Sequence, residues 1–273
     1  MVMMIGVMEY LKSGIKKSGM IYFIPLFFYF VLMNKVFLGD CLDVMPKHID
    51  NKSIDLILCD LPYGTTKCKW DTVIDLNQLW VEYNRIIKPT GAILLFAQTP
   101  FDKVLGSSNL KMLKYEWIWE KTQATGHLNA KKMPMKSHEN ILVFYKKKPT
   151  YNPQKTTGHK PVNSYTKYVK TQNNTEIYGK VKKEISGGGE TDRYPRSVLT
   201  FPSDKQTSYL HPTQKPLALC EYLIKTYTNE GDLVLDNAAG SGTTGLAAKN
   251  LNRNYILIEK EEKYYNVIRE RIK

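Results

Sequence analysis

The sequence predicts an α/β protein built on a doubly wound, largely parallel sheet that carries a loop-rich basic insertion. Three observations carry this reading. From residue 35 onward, short apolar runs alternate with stretches of helical spacing, the pattern of βαβ units. One such run, DLVLD (232–236), passes into NAAGSGTTGLAAKN, a glycine-bearing turn between a strand and a helix. A further run, NYILIE (254–259), ends in an acid, Glu259, 23 residues beyond Asp236.

The elements follow in order. KVFL (35–38) and IDLILC (54–59) read as buried strands. LNQLWVEYNRII (76–87) places apolar residues at helical spacing and stops before KPTG, a proline and glycine exit. AILLFA (92–97), YEWIWE (115–120) and NILVFY (140–145) read as further strands. After a long irregular stretch come the helix LALCEYLIKTYT (217–228), the strand DLVLD, the helix TTGLAAKNL (243–251), the strand NYILIE and a closing helix KYYNVIRERI (263–272). This divides the chain into an N-terminal extension (1–33), a first half of the sheet domain (34–149), an insertion (150–205) and a second half (206–273).

Charge points to the insertion. The 273-residue chain carries a formal +13 with a pI near 9.3, a balance that suits an anionic polymer. Residues 145–200 hold ten Lys and two Arg against four acids, which is +8 of that excess. Residues 146–208 are also rich in Asn, Thr, Tyr, Pro and Gly without a sustained period, as expected of a loop-rich subdomain. Cys41, Cys59, Cys68 and Cys220 form no CxxC pair and no metal cluster, so they read as reduced residues of a cytoplasmic protein. At the N-terminus, MIYFIPLFFYFVLM (20–33) is too short and too interrupted by Pro25 for a spanning helix, and no small-residue cleavage site follows it. MNKVFLGD then begins like an ordinary start, so residues 1–32 are expected to be translated from upstream of a natural start at Met33, with a packed extension or a membrane anchor as the alternatives. No membrane partner is expected.

The glycine turn calls for a ligand. Gly240 and Gly242 remove side chains where a backbone must approach closely, and Glu259 stands where nucleotide-binding α/β folds hold the hydroxyls of a ribose. Dinucleotide binding is the first reading, since Gly240, Gly242 and Gly245 keep the G-x-G-x-x-G spacing of its fingerprint. The same loop also suits an adenosine ligand without a pyrophosphate, such as S-adenosylmethionine; a glycine pair with no ligand is the bland alternative. HPTQKP (211–216) precedes the next helix and sets His211, Thr213, Gln214 and Lys215 at its N-terminus, where free N–H groups favour an anion such as a methionine carboxylate.

The strand IDLILC runs into DLPYG. In a doubly wound sheet, loops at the carboxyl ends of neighbouring strands meet in one crevice, so Asp60 and Tyr63 should face the ligand of the glycine loop. Asp60 and the Leu61 carbonyl can each accept an N–H of an amino group, Pro62 shapes the turn, and Tyr63 offers a ring for a base to stack on. Two acceptors favour the pyramidal amine whose lone pair can attack a sulfonium methyl in line.

These residues resemble the amino-methyltransferase family of DNA modification enzymes over essentially 34–273. DLPYG is similar to that family's D-P-P-Y catalytic motif, LDNAAGSGTT to its S-adenosylmethionine loop, and HPTQKP to the motif just upstream. Their order, with a basic insertion between, is that of the β-type permutation. The resemblance implies N6-adenine methylation in double-stranded DNA, an insertion that reads the target sequence, and catalytic roles for Asp60, Leu61, Pro62 and Tyr63. It implies a cofactor site formed by the HPTQKP residues, by Asp236, Asn237, Ala238, Gly240, Ser241, Gly242, Thr243, Thr244 and Glu259, and by Asp60. Asp40 of FLGD corresponds to a residue near the cofactor adenine, although a plain strand-end Asp reads equally well. A homodimer and a cognate restriction endonuclease are the further partners it admits. Two departures stand out: Leu61 replaces the first Pro, and Asn237-Ala238 replaces a Pro-Phe pair that bears on cofactor affinity.

Other readings fit less. A C5-cytosine enzyme needs a Pro-Cys thiolate, and none is present. RNA and protein-glutamine methyltransferases place the glycine loop first. An N4-cytosine enzyme stays open, as does a DNA-binding module with a dead site, although such a binder needs neither Asp60 nor Glu259.

Overall fold

The structure, a computed structural model, describes residues 34–65, 68, 71–162, 188–204 and 214–273. The expected N-terminal extension, the middle of the insertion, and His211 and Thr213 lie outside the described residues.

Strands β1 (Lys35–Leu38), β2 (Ile54–Asp60), β3 (Ile87–Ala97), β4 (Leu113–Thr125), β5 (Lys136–Phe144), β6 (Val198–Phe201), β7 (Leu233–Asp236) and β8 (Asn254–Glu259) form one sheet in the order β1-β8-β7-β2-β3-β5-β4-β6. Its only antiparallel pairings among the described residues are those of β5 with β3 and β4, so the sheet is largely parallel as expected. Helices α1 (Cys41–His48), α2 (Leu76–Ile86) and α3 (Phe101–Ser108) cover one face, and α4 (Leu217–Tyr227), α5 (Thr243–Asn250) and α6 (Glu262–Arg271) the other.

The alternation of side chains along β2 explains why both faces are apolar. Ile57 and Cys59 pack with Met45, Tyr83 and Leu105 of the first helical layer, while Leu56 and Leu58 pack with Leu223, Ala247 and Ile268 of the second. Two of the three helices of the first layer are capped by acids: Asp40 accepts Leu42 N–H before α1, and Asp75 accepts Asn77 and Gln78 N–H before α2.

The stretch read as loop-rich holds two features that the sequence reading did not give. Val198–Phe201, at the end of the stretch read as loop-rich, forms the edge strand β6, paired parallel to β4 through Ile118↔Val198 to Lys121↔Phe201. Its four residues are too few to show a period. The described ends of the insertion also run as a pair, with Thr156 and Arg193 exchanging backbone hydrogen bonds and Val162 N–H donating to Glu190. Among the described residues no helix is long and apolar enough to cross a membrane.

The sheet fixes where chemistry can occur. Asp60 ends β2 and Asp236 ends β7, and these strands are neighbours: Leu56 pairs with Val234 and Ile57 with Leu235. From this junction the chain winds outward in both directions, toward β3 on one side and β8 on the other, which is the crevice where open α/β sheets hold ligands.

Candidate active site

DLPYG leaves the sheet at Asp60 and is held by its own side chains. Tyr63 hydroxyl donates to Asp60 Oδ1 at 2.6 Å, and the Tyr63 ring stacks on Phe101 with centroids 5.3 Å apart. Leu61 is buried at 2% exposure, so the residue that replaces a proline packs its side chain into the core. Asp71 grips the following turn, accepting Gly64 N–H at 2.9 Å and Thr65 N–H at 3.0 Å. Gly64 has φ +66° and a Cβ there would sit 2.8 Å from Val73 Cγ2, so a side chain would meet both strain and a clash.

Asp60 also belongs to a buried row of alternating charges. Lys215 Nζ lies 2.6 Å from Asp60 Oδ2 and 3.3 Å from Glu139 Oε2, and Lys121 Nζ lies 2.6 Å from Glu139 Oε1. The pairing Trp119↔Glu139 brings β4 and β5 together so that Lys121, two residues along, reaches the same carboxylate. Burial pushes the Asp60 carboxyl up, and the Lys215 charge works against that rise. Burial likewise opposes the charge on Lys215, but the two carboxylates outweigh it and hold its pKa above the usual lysine range. Glu139 is pulled below the usual range, because Lys215 and Lys121 together overcome its burial. Lys215 thus turns to Asp60, whereas the sequence reading aimed it at a ligand anion. At the N-terminus of α4, Asp204 accepts Leu217 N–H at 2.7 Å, so an acid of the chain itself takes part of that anion position.

The glycine loop builds the other half. Glu259 accepts Gly240 N–H at 2.7 Å through Oε2 and Glu261 N–H at 2.8 Å through Oε1, which fixes its carboxylate against the loop; burial raises its pKa against these donors. Gly242 has φ +77°, and a Cβ there would press on Ile268 at 3.1 Å. Arg271 of α6 donates to Ser241 O, Ser241 Oγ and Thr243 Oγ1 at 3.0 to 3.1 Å, while Ser241 Oγ also reaches Gln214 at 3.4 Å. Burial pushes the Asp236 carboxyl up to about 6, against the Thr244 hydroxyl and Ala238 N–H that favour its ionised form. Across the mouth, Asp40 pairs with Lys260 at 3.0 Å.

Asn237 explains the departure at the Pro-Phe position. Its Oδ1 accepts the hydroxyl of the fully buried Tyr83 at 2.6 Å, across 154 residues of sequence, so a buried hydrogen bond anchors the loop here. Tyr83→Phe should cost about 1–3 kcal/mol of stability in urea denaturation, since it strands a buried acceptor. An unchanged unfolding midpoint would show that the pair does not anchor the loop.

One cavity of about 440 Å³ joins the two halves, lined at one end by Asp40, Glu259 and Tyr264 and at the other by Asp60, Tyr63 and Lys215. That volume lies in the range of small-molecule sites, about 300–1,000 Å³. The residues fit S-adenosylmethionine: an acid for ribose hydroxyls, a glycine loop open to close approach, and a carboxylate row at the far end where a second substrate would meet it. His211 and Thr213 cannot be placed, being outside the described residues. Lys121, Glu139, Asp71, Tyr83 and Arg271 were not found by sequence reasoning. The one signal among them was Glu139, a charged residue at the mouth of an otherwise apolar run.

A doubly wound sheet with a glycine loop and the acids Asp60 and Glu259 lining one crevice has the layout of a methyltransferase-type enzyme. The family model described as DNA methylase matches residues 54–270. Type II methyltransferase M.HpaI of Haemophilus parainfluenzae is 31% identical over 242 residues, covering 83% of this chain and 70% of that protein. DNA adenine methyltransferase YhdJ of Escherichia coli is 31% identical over 252 residues, covering 83% and 78%. The structure of the M1.HpyAVI–SAM complex aligns with TM-score 0.59 at 24% identity over 87% of this chain and 98% of that one. The cytosine-N4-specific PvuII DNA methyltransferase aligns with TM-score 0.60 at 15% identity over 88% and 86%. The chain belongs to the N6/N4 DNA methylase family, whose members are S-adenosylmethionine-dependent DNA methyltransferases.

Proposed function

We propose that the protein methylates the N6 amino group of adenine in duplex DNA, with the target base turned out of the helix into the cavity. The observation that carries this reading is the shared cavity: Asp60, followed directly by the Leu61 carbonyl, lies at one end and Glu259 at the other. S-adenosylmethionine, when bound, supplies an electrophilic methyl group. Glu259 would hold its ribose, with the glycine loop closing on it. Asp60 and the Leu61 carbonyl would take the two amine hydrogens, leaving the nitrogen lone pair directed along the cavity. Tyr63, backed by Phe101, would stack on the base, and Asp60 would receive the proton that the methylated amine releases.

An acidic first residue in DLPYG favours adenine. The likeness to a cytosine-N4-specific structure keeps N4-cytosine as the second reading. Transfer of labelled methyl to unmethylated duplex, followed by digestion to nucleosides, decides: N6-methyladenine is expected, N4-methylcytosine would install the second reading, and no transfer would reject both. The Type II relatives support a restriction–modification setting.

The strands β4 and β5 extend beyond the sheet as an arm that starts at the cavity rim. Residues 122–138 are exposed throughout and contain no acid, but include Lys131, Lys132 and Lys136. Alongside the insertion proposed to read sequence, this arm would sit on DNA phosphates. Replacing Lys131 and Lys132 with Ala should weaken duplex binding and lower the salt slope by about 2, without changing cofactor affinity. An unaltered slope would place the DNA elsewhere.

A further inference from the structure

Asp60 meets a difficulty within the proposed reaction. Its two oxygens are already engaged, Oδ1 by the Tyr63 hydroxyl and Oδ2 by Lys215, both at 2.6 Å. An amine arriving at the cavity therefore finds its acceptor held by a buried cation. Next to it stands Glu139, whose Oε1 is taken by Lys121 at 2.6 Å. Its Oε2 is buried and accepts no hydrogen bond, although Lys215 Nζ is only 3.3 Å away. Both Glu139 and Asp60 line the cavity. A buried acceptor without a hydrogen bond is costly, and a small shift of the lysine would satisfy it.

We propose that Glu139 is a positioning residue that receives Lys215 from Asp60 when the target amine enters, freeing Asp60 Oδ2 for the amine. This inference rests on the amino-methyltransferase reading given above. The move is a rotation of the Lys215 ammonium by a fraction of an ångström, from one carboxylate of the row to the other. Charge is conserved along the row throughout, so no bare charge is left in the interior.

The step balances. The amine lone pair forms the new nitrogen–carbon bond as the carbon–sulfur bond breaks with its electrons passing to sulfur. The nitrogen, now a methylammonium, gives one proton to Asp60, which later passes it to solvent. A carboxylate released from its lysine is the better acceptor for that proton. Lys121 completes the device by holding Oε1, so that only Oε2 faces Lys215.

The experiment compares wild type, Glu139→Gln and Glu139→Asp in single-turnover methyl transfer to duplex DNA across pH, with cofactor affinity measured by calorimetric titration and folding by thermal melting. The charged and titratable groups around Asp60 are Lys215 before α4, the neutral phenol of Tyr63 in its own loop, Glu139 of β5 and Lys121 of β4. Asp236 of β7 and the thiols of Cys59 and Cys220 complete its surroundings. Glu139→Gln removes a negative charge beside Asp60 and leaves Lys215 to Asp60 alone. Both changes lower the pKa of Asp60. The expected result is a loss of at least about tenfold in the transfer rate, an acidic limb of the rate profile displaced to lower pH, and cofactor affinity within about twofold of wild type. Glu139→Asp should restore part of the rate and move the limb back.

A Glu139→Gln protein with wild-type rate and limb overturns the proposal. So does one that loses rate and melting temperature together while the limb stays in place, since that marks a merely structural residue. If Glu139→Gln does not fold, Glu139→Asp decides by the same limb. If wild type itself transfers no methyl to an amino group, the underlying reading fails, and this proposal with it.

Discussion

Asp60→Ala is expected to lower the methyl-transfer rate by about 10³ or more while leaving cofactor affinity close to wild type. The acceptor lost is the one that both orients the amine and takes its proton, and general-base groups contribute about 10²–10⁴ in rate. Glu259 is held by Gly240 N–H and Glu261 N–H and makes no contact with Asp60, so calorimetric titration with S-adenosylmethionine should change little. The substitution also leaves Lys215 with Glu139 as its remaining anion at 3.3 Å. Breaking a buried pair in this way costs about 3–5 kcal/mol when both partners are fully enclosed, and less for Asp60, whose side chain keeps 20% exposure. Asp60→Asn separates the effects, since the amide keeps one acceptor oxygen at similar volume but carries no charge. A loss with Asn that approaches the loss with Ala would assign most of the effect to charge and proton acceptance. Because burial raises the pKa of Asp60, the base form is lost as pH falls from a point above the ordinary carboxylate range. The wild-type rate should therefore decline on the acidic side earlier than a solvated Asp would dictate. Wild-type turnover by Asp60→Ala on folded protein would refute any role for this acid in the reaction.

The part of this site that was legible in the sequence is the part written in short contiguous stretches. IDLILC, AILLFA and NILVFY became β2, β3 and β5 because strands buried on both faces must be apolar at nearly every position. Asp60, Tyr63, Gly240 and Glu259 were readable because each sits at a strand end, where the fold itself directs side chains to the crevice. The helices α1 and α3 were not read. CLDVMPKH contains Pro46, and FDKVLGSS ends in weak helix formers, so tertiary packing of Met45 and Leu105 outweighs local propensity.

The partners that tune the site escaped for a different reason. Lys215 and Asp60 are 155 residues apart, and Tyr83 and Asn237 are 154 apart. Only the strand order brings β2, β5 and the segment before α4 to one point, and that order is not written in any local pattern. Glu139 is the instructive case. It stands in KSHENILVF just where the run becomes apolar, a charge entering a buried strand, and such a charge requires a partner. That signal was present but was not read; the lysines that pair with Glu139 come together only through the sheet. The Asn237-Ala238 departure also changes meaning with Tyr83 in view, because a buried polar pair now fixes the loop where an aromatic contact was expected.

Glu259→Ala is expected to raise the dissociation constant for S-adenosylmethionine by at least about 100-fold, and to do so before any effect on the chemical step. Two losses combine. The ribose would forfeit a charge-assisted acceptor, and hydrogen bonds to a charged group are worth about 1.5–3 kcal/mol each. The loop would also forfeit its own anchor, since Gly240 N–H and Glu261 N–H both end on this carboxylate at 2.7 and 2.8 Å. Glu259→Gln distinguishes the two. Its amide oxygen can serve one of those N–H groups but not both, while its amide hydrogens would face donors. Affinity for Gln between that of wild type and Ala would show that loop order and ribose contact both contribute. The pH dependence has a definite sign. Burial raises the pKa of Glu259, so the free protein's carboxylate becomes protonated at a higher pH than a solvated Glu, and affinity should weaken as pH falls into that region. Glu259→Ala should abolish this dependence along with the affinity. A variant that binds the cofactor as wild type does, yet transfers methyl slowly, would move Glu259 from the cofactor site to the reaction and require a different holder for the ribose.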